Sequence, residues 1–307
     1  MTYHPAKPTR LPREHPAVSV IEELQTAIAT VAERAGPAIV GIGRGTRGSG
    51  IVIAEGKVLT NAHNLRGDEV TVTFADGRRT GGTVAGVDGD GDLAVVDVET
   101  SGATALEWGD GEALTLGTAV FGAAASHGGG TRVTFGLVSA VARSFRGPGG
   151  RRISGSIEHT APLAPGSSGG ALVDAAGKLV GVNTNRIGEG FYLALPVDAA
   201  LRERIEALGR GESPEPTRLG VAVAPAHVAR RMRRAVGLAE REGVLVRAVE
   251  DDSLAAAAGI DAGDLIVSAG GKPVADADDL FEALGTLKLP FDVVLVRGND
   301  ERTVSVG

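Results

Sequence analysis

Pro165-Gly166-Ser167-Ser168-Gly169-Gly170 runs directly into Ala171-Leu-Val-Asp-Ala-Ala-Gly-Lys-Leu-Val-Gly-Val182, and this join decides the fold. Glycines on both sides of a serine let the backbone turn sharply, expose the hydroxyl and aim successive N–H groups at one point. A serine nucleophile and its oxyanion hole are built this way, here from the N–H groups of Gly166, Ser167 and Ser168. A glycine-serine run is also what a plain flexible loop looks like. The residues after it separate the architectures, because two short apolar runs around an Ala176-Gly177 turn read as strand, tight turn, strand.

The same texture extends outward over residues 38–197. Short apolar runs alternate with Gly-rich or Asp-Gly turns such as Asp76-Gly77, and Val70, Val72 and Phe74 show the period of two of a half-buried strand. An all-β barrel or sandwich is the expected fold of this region. A helix precedes it: Ser19 and Glu22 form a capping box, and Val20, Ile21, Leu24, Ile28 and Val31 recur at helical spacing until Gly36-Pro37. Another helix covers 198–208 and is capped at Gly209. Beyond the charged, proline-bearing stretch from Arg210 to Pro216, short strands mix with two helices. One runs from Pro225 to Gly237 with Val228, Met232 and Val236 on one face, and the other over 277–287 with Leu280, Leu284 and Leu287 aligned. The expected organisation is therefore a mobile arm over 1–17, a β domain over 18–208, a linker over 209–217 and a small α+β domain over 218–307.

Composition agrees with a globular chain and removes several function classes. The 307 residues carry 31 Lys and Arg against 38 Asp and Glu, a net charge of −7, which argues against a dedicated nucleic-acid binder. With no cysteine, thiol nucleophiles, Cys-ligated zinc and iron–sulfur clusters are excluded. No HExxH, P-loop or dinucleotide fingerprint is present, so no cofactor and no metal are expected. No apolar run approaches the roughly 20 residues of a membrane-spanning helix. The first twenty residues hold four prolines and no signal-like apolar core, so the chain as it stands reads as cytoplasmic.

A serine nucleophile needs a base and an acid. The G-x-S-x-G elbow of α/β-hydrolase esterases must lead from a strand into a helix and be followed by its acid and histidine. Here a strand follows, and the one later histidine is His227. The opposite order, His then Asp then Ser, is that of chymotrypsin-like double β-barrels. His63, in Val58-Leu-Thr-Asn-Ala-His63 at the end of an apolar strand, is the candidate base. Asp92, opening the strand Asp92-Leu-Ala-Val-Val-Asp97, is the candidate acid, with Asp88, Asp90 and Asp97 as chemical competitors and His159 as a rival base. A histidine base works only when neutral, so activity is expected to fall in acid.

Thr60-Asn61-Ala62-His63, Asp92-Leu93-Ala94-Val95 and Gly166-Ser167-Ser168-Gly169-Gly170, separated by 29 residues from His63 to Asp92 and 76 from Asp92 to Ser168, resemble the HtrA/Deg family of serine proteases. Leu219-Gly220-Val221 and the run from Asp252 to Ile266 resemble the carboxylate-binding turn and the helix-to-strand signature of its PDZ domains. The resemblance implies a chymotrypsin-like double β-barrel followed by one PDZ domain. It further implies ATP-independent cleavage of unfolded or misfolded proteins by His63, Asp92 and Ser168, and a primary specificity pocket lined by Leu163, Asn183, Asn185 and Arg186. A peptide with an apolar C-terminus would add as a strand between Val221 and the helix bearing Leu280 and Leu284, with Leu219 and Gly220 at its carboxylate. Homotrimers and an extracytoplasmic location are common in the family. A protease fold serving only as a chaperone or peptide-binding adaptor is the alternative reading.

The chain also departs from the family pattern. Ser167 stands where Asn is usual, Asn64 where Val is common, and Glu158-His159-Thr160 where Gln-Thr-Asp is frequent. Asn185-Arg186 replaces small and aliphatic pocket residues, so the family's aliphatic preference does not transfer. Of the aromatic N-terminal trimer contacts only Tyr3 has a counterpart, and Arg218 replaces an aromatic before the PDZ turn. Two rival motifs are weaker. Asp88-Gly-Asp90-Gly-Asp92 resembles a calcium loop but has Leu93 where the sharp turn needs glycine. Arg230-Arg231-Met232-Arg233-Arg234 reads as a solvated helix face.

Overall fold

The structure, a computed structural model, describes residues 19–147, 152–186, 190–214 and 217–307. The arm expected over 1–17, with Tyr3, lies outside the described residues. Among those described, the chain divides into two compact units. The first holds the residues up to Ser144 and Ser154–Glu212; the second holds Ser213–Gly307 and Phe145–Ile153. The division after Glu212 falls inside the expected linker, whereas the segment Phe145–Ile153, expected with the first domain, groups with the second.

In the first unit, α1 (Val20–Ala35) starts at the expected capping box: the Glu22 N–H donates to Ser19 Oγ (3.2 Å) and the Ser19 N–H to the Glu22 carboxylate (2.9 Å). Its last turn is anchored, with Val31 and Ala35 buried and Arg34 donating to the Ala176 carbonyl (3.1 Å), while Val20 and Ile21 stay exposed. Burial along the apolar stripe thus rises from exposed Val20 and Ile21 through half-buried Leu24 and Ile28 to buried Val31. Strands β1 (Ile39–Ile42), β2 (Gly48–Ala54), β3 (Lys57–Thr60), β4 (Glu69–Thr73), β5 (Arg79–Asp88) and β6 (Leu93–Val98) close into a barrel in the order 1-2-3-6-5-4. Strands β7 (Ala119–Ala125), β8 (Thr131–Arg146), β9 (Arg152–His159), β10 (Ala171–Val173), β11 (Leu179–Arg186) and β12 (Tyr192–Pro196) close a second barrel in the order 10-11-12-9-8-7. Closure pairs the edges that short strands would otherwise expose. Inward side chains such as Val40, Ile42, Val58, Val72 and Val96 fill the first barrel, and Val120, Val138, Leu172 and Val180 fill the second. Both expected hairpin turns form, at Asp76-Gly77 and Ala176-Gly177, each glycine with a positive φ.

Helix α2 (Ala199–Gly209) is capped by Asp198, whose carboxylate accepts the Leu201 N–H (2.6 Å), and it buries Leu201, Ile205 and Leu208. Its C-cap is Arg210 rather than the expected Gly209, and the left-handed glycine is Gly211 (φ +87°). No helix among the described residues is long and apolar enough to cross a membrane.

The second unit is a sheet of β13 (Val221–Ala224), β14 (Val244–Val249), β15 (Leu265–Ala269), β16 (Lys272–Pro273), β17 (Phe291–Arg297) and β18 (Asp300–Val306), with β16 paired to β15 off the main 13-14-15-17-18 path. Helices α3 (Ala226–Ala235), α4 (Leu254–Ala257) and α5 (Ala277–Leu284) accompany it. Arg297 grips the buried Asp264 carboxylate through two 2.7 Å bonds. Burial alone would raise that carboxyl's pKa, and the Arg297 bonds, the Asp261 N–H and the charges of Arg297 and Arg302 together outweigh it and hold it below the ordinary value. Helix α3 corrects the sequence reading. Its buried positions are Ala229 and Arg233, while Met232 and Val236 are exposed. Arg233 buries its aliphatic stem and donates to the carbonyls of Ala239 (3.0 Å) and Gly298 (3.3 Å), so it is not part of a solvated face.

Candidate active site

Strand β3 ends at Thr60, and a single tight turn, Ala62–Asn64, presents His63 with its side chain 31% exposed. Asp92 enters β6 in the left-handed region (φ +56°), a conformation that a short polar side chain tolerates. That turn swings its carboxylate under the histidine. Asp92 accepts from His63 Nδ1 (2.8 and 2.9 Å to its two oxygens), from the His63 backbone N–H (3.1 Å) and from the Thr184 hydroxyl (2.9 Å). Asn61 Nδ2 donates to its backbone carbonyl (2.8 Å). Only 1% exposed, Asp92 is fixed from three sides. An Nδ1–H held by a carboxylate leaves Nε2 as the free acceptor of the neutral imidazole.

The competing acids are engaged elsewhere. Asp88 accepts from Gly91 and Arg204, and Asp97 from Lys57. His159 is fully buried in the second barrel, stacks on Tyr192 and bonds through Nε2 to the Asn183 carboxamide oxygen (3.0 Å). Burial, only partly offset by that bond, pushes its pKa down to about 4. Among the described residues no acid is bonded to it, and it is a neutral brace rather than a rival base. Among the described residues no cluster of acids and histidines converges to hold a metal ion.

Ser168 comes from the second barrel. Its hydroxyl donates to the Thr184 carbonyl (2.8 Å), and because it has a single proton it does not donate to His63 in this rotamer. Thr184 therefore links both halves of the site, with its hydroxyl on Asp92 and its carbonyl on Ser168. In the loop before Ser168, the N–H groups of Gly166 (φ +87°) and Ser168 have no partner among the described residues. The Ser167 N–H is not a third oxyanion donor, because it closes a tight turn onto the Ala164 carbonyl (3.1 Å). Gly169 is needed as glycine: at φ +83° a Cβ there would overlap the Ser49 carbonyl.

Three residues that sequence reasoning missed hold this loop against the first barrel. Ser49, fully buried on β2, donates its hydroxyl to the Gly166 carbonyl (2.8 Å), accepts the Ala125 N–H (3.0 Å) and gives its own N–H to the Ser168 carbonyl (2.8 Å). Thr60 donates to the Ser49 carbonyl (2.7 Å). Asn64, flagged above only as a departure, donates Nδ2 to the Ser168 carbonyl (2.9 Å) and the Thr60 hydroxyl (3.0 Å). Its carboxamide fits because residue 48 is glycine; a Cβ there would overlap it.

The expected specificity pocket needs one correction. Asn183 is fully buried and its amide is spent inside the barrel, accepting from His159 and donating to the Ala171 carbonyl (2.8 Å), so it presents no free group to a substrate. Leu163 is half-buried beside Gly122. Asn185 and Arg186 pair with Leu193 and Tyr192 on β12, and their side chains lie outside the described set.

In the second unit, Leu219, Leu280 and Leu284 are all core residues, 2%, 1% and 5% exposed. Gly220 (φ +76°) and half-buried Val221 are the accessible members of the expected peptide site. The carbonyls of Leu219 and Gly220 are held by the N–H groups of Ala255 and Glu250 (both 2.8 Å), which fixes the turn.

Comparison with known proteins covers both units. Residues 48–182 match the trypsin-like peptidase domain family and residues 245–296 the PDZ domain family. The chain is 31% identical to a probable periplasmic serine endoprotease DegP-like protein of Halomonas elongata, over 86% of this chain and 56% of the relative. It is 30% identical to the periplasmic serine endoprotease DegP of Salmonella typhimurium, over 84% and 55%. The chain thus spans little more than half the length of these relatives. A solved structure of the HtrA-type protease AlgW with a decapeptide superposes with a TM-score of 0.77 at 26% identity, covering 91% of this chain and 97% of that one. With a trypsin-like peptidase region and a PDZ region in this order, and likeness to HtrA-type and DegP proteins along nearly its whole length, the chain belongs to the HtrA/Deg family.

Proposed function

We propose that the chain is an ATP-independent serine endopeptidase acting on unfolded or misfolded proteins, with residues 18–208 as the protease domain and 218–307 as a PDZ domain that binds apolar C-termini. The observation that carries this reading is the Asp92 carboxylate 2.8 Å from His63 Nδ1, joined through Thr184 to the Ser168 hydroxyl.

Catalysis begins with rotation of the Ser168 hydroxyl from the Thr184 carbonyl toward His63 Nε2. His63 takes its proton as Ser168 Oγ attacks the substrate carbonyl, and Asp92 stabilises the resulting imidazolium. The N–H groups of Gly166 and Ser168 receive the developing oxyanion. His63 returns the proton to the leaving amine, and water then releases the acyl group by the same steps in reverse order of partners.

Casein digestion tests the assignment. Ser168→Ala and His63→Ala are each expected to lower turnover by about 10⁶, with little further loss when combined, because the residues act as a unit. Wild-type digestion by either variant overturns it and leaves the adaptor reading. Trimer formation is part of the proposal and is read by light scattering. For compartment, the periplasmic names of the relatives favour an extracytoplasmic site over the cytoplasmic expectation, and cell fractionation decides.

A further inference from the structure

Three arginines converge beside the catalytic histidine in a cleft of about 350 Å³. Arg44 and Arg47, from the β1–β2 connection, and Arg66, from the β3–β4 connection, line it together with Asn64 and a single acid, Glu69. All three arginines are exposed, and none of their side chains has a hydrogen bond or ion pair to a described residue. Elsewhere Arg143, Arg204, Arg241 and Arg297 each face a carboxylate. In a chain of net charge −7, this cleft is therefore a local excess of unneutralised positive charge.

Its position fixes what meets it. Asn64 follows His63 directly, and the carbonyls of Thr46 and Arg47 lie 2.8 and 3.6 Å from the Cβ position of Gly166, beside the oxyanion turn. A histidine that protonates the leaving amine must stand on the leaving-group side of the scissile bond. The cleft adjoining it thus receives the residues just C-terminal to that bond, and one extended residue advances them by about 3.4 Å.

We propose that this cleft selects substrates carrying Asp or Glu within the first three residues after the scissile bond. This deepens the protease reading and rests on the triad. Planar guanidinium groups bind carboxylates through charge-assisted hydrogen bonds, and convergent charge in a cleft excludes lysine and arginine at the same positions.

The test uses a peptide from the casein digest, remade in internally quenched form with Glu, Gln or Lys as the second residue after the bond cut. Cleavage position is confirmed by mass spectrometry. At low salt, kcat/KM for Glu over Lys is expected to be about tenfold, from two exposed ion pairs gained and repulsion removed, and to shrink at 0.5 M salt. In an Arg47→Gln/Arg66→Gln variant the Glu-to-Lys ratio should approach one. A wild-type ratio near one, or a ratio unchanged in the double variant, overturns the proposal while leaving the protease reading intact. Failure of the wild-type enzyme to cut any of the peptides, together with failure of a phosphonate to label Ser168, overturns the triad and this inference with it.

Discussion

Replacing Ser49 by alanine should damage catalysis from a position that touches no substrate. The Ser49 hydroxyl is fully buried and satisfies two backbone groups at once, donating to the Gly166 carbonyl at 2.8 Å and accepting from the Ala125 N–H at 3.0 Å. Alanine leaves both without a partner, and each unmet buried group costs about 1–3 kcal/mol, giving roughly 2–6 kcal/mol if nothing relaxes. Relaxation comes most easily at Gly166, a left-handed glycine whose dihedrals shift at little cost, so freeing its carbonyl loosens the turn that aims its N–H at the oxyanion position. Loss of one oxyanion donor lowers kcat by about 10²–10³. Steady-state kinetics on a fluorogenic peptide should therefore show kcat reduced about 10²-fold with KM changed by less than about threefold, as expected when an interaction specific to the transition state is removed. Urea unfolding should show lowered stability, and circular dichroism under assay conditions confirms that the variant assayed is folded. A folded Ser49→Ala enzyme with wild-type kcat would refute the argument that Ser49 sets the oxyanion turn.

Other consequences follow from the same contacts. Asn64→Val removes the bonds to Ser168 and Thr60, but the Ser168 carbonyl keeps the Ser49 N–H, so the loss should be about 1 kcal/mol of stability and less than tenfold in kcat. Gly48→Ala should cost more than that in wild type and less in an Asn64→Ala background, where the overlapping carboxamide is gone; a double-mutant cycle in urea measures the coupling. His159 has its pKa depressed by burial to about 4, against 6.5 for an ordinary histidine. Its contribution is therefore whole above pH 6.5 and is lost as pH falls to 4, where the unfolded chain takes a proton that the folded one refuses, about 3 kcal/mol in total. His159→Gln should remove that part of the difference between urea unfolding at pH 7 and pH 4.5. A chain ending at Glu212 should lose digestion of unfolded protein far more than hydrolysis of short peptides, because a tethered C-terminus raises the local concentration of scissile bonds; equal retention of both would make the PDZ domain something other than a tether.

The fold was legible where local chemistry and global architecture agree. Strand, turn and strand after Gly170 excluded a nucleophile elbow, and the Ser19 capping box starts α1 as the spacing predicts. The three catalytic candidates could be read because a strand end, a strand start and a glycine-framed serine each leave a local mark. Choosing Asp92 among four aspartates needed the resemblance, since the rival partners, Arg204 for Asp88 and Lys57 for Asp97, are brought in by tertiary structure. Ser49, Thr60 and Thr184 were invisible for the same reason. Their bonds join residues 11 to 117 positions apart, and nothing in an isolated serine or threonine reveals a distant carbonyl. Asn64 did leave a trace, a polar residue where an aliphatic is common, opposite a glycine at 48. In α3 the periodicity argument failed because it treats arginine as surface, whereas Arg233 reaches two loop carbonyls that satisfy its guanidinium. Asn183 was misread likewise, since its partner His159 sits 24 positions earlier.

The central claim is that Ser168 is a nucleophile activated by His63 on Asp92. A serine-directed phosphonate, reacted with the folded full chain and located by peptide mass mapping, tests it most directly. One adduct is expected, on Ser168, absent from Ser168→Ala and formed far more slowly by His63→Ala and Asp92→Asn. An adduct on another serine, or labelling of Ser168 at an undiminished rate without His63, would contradict the account.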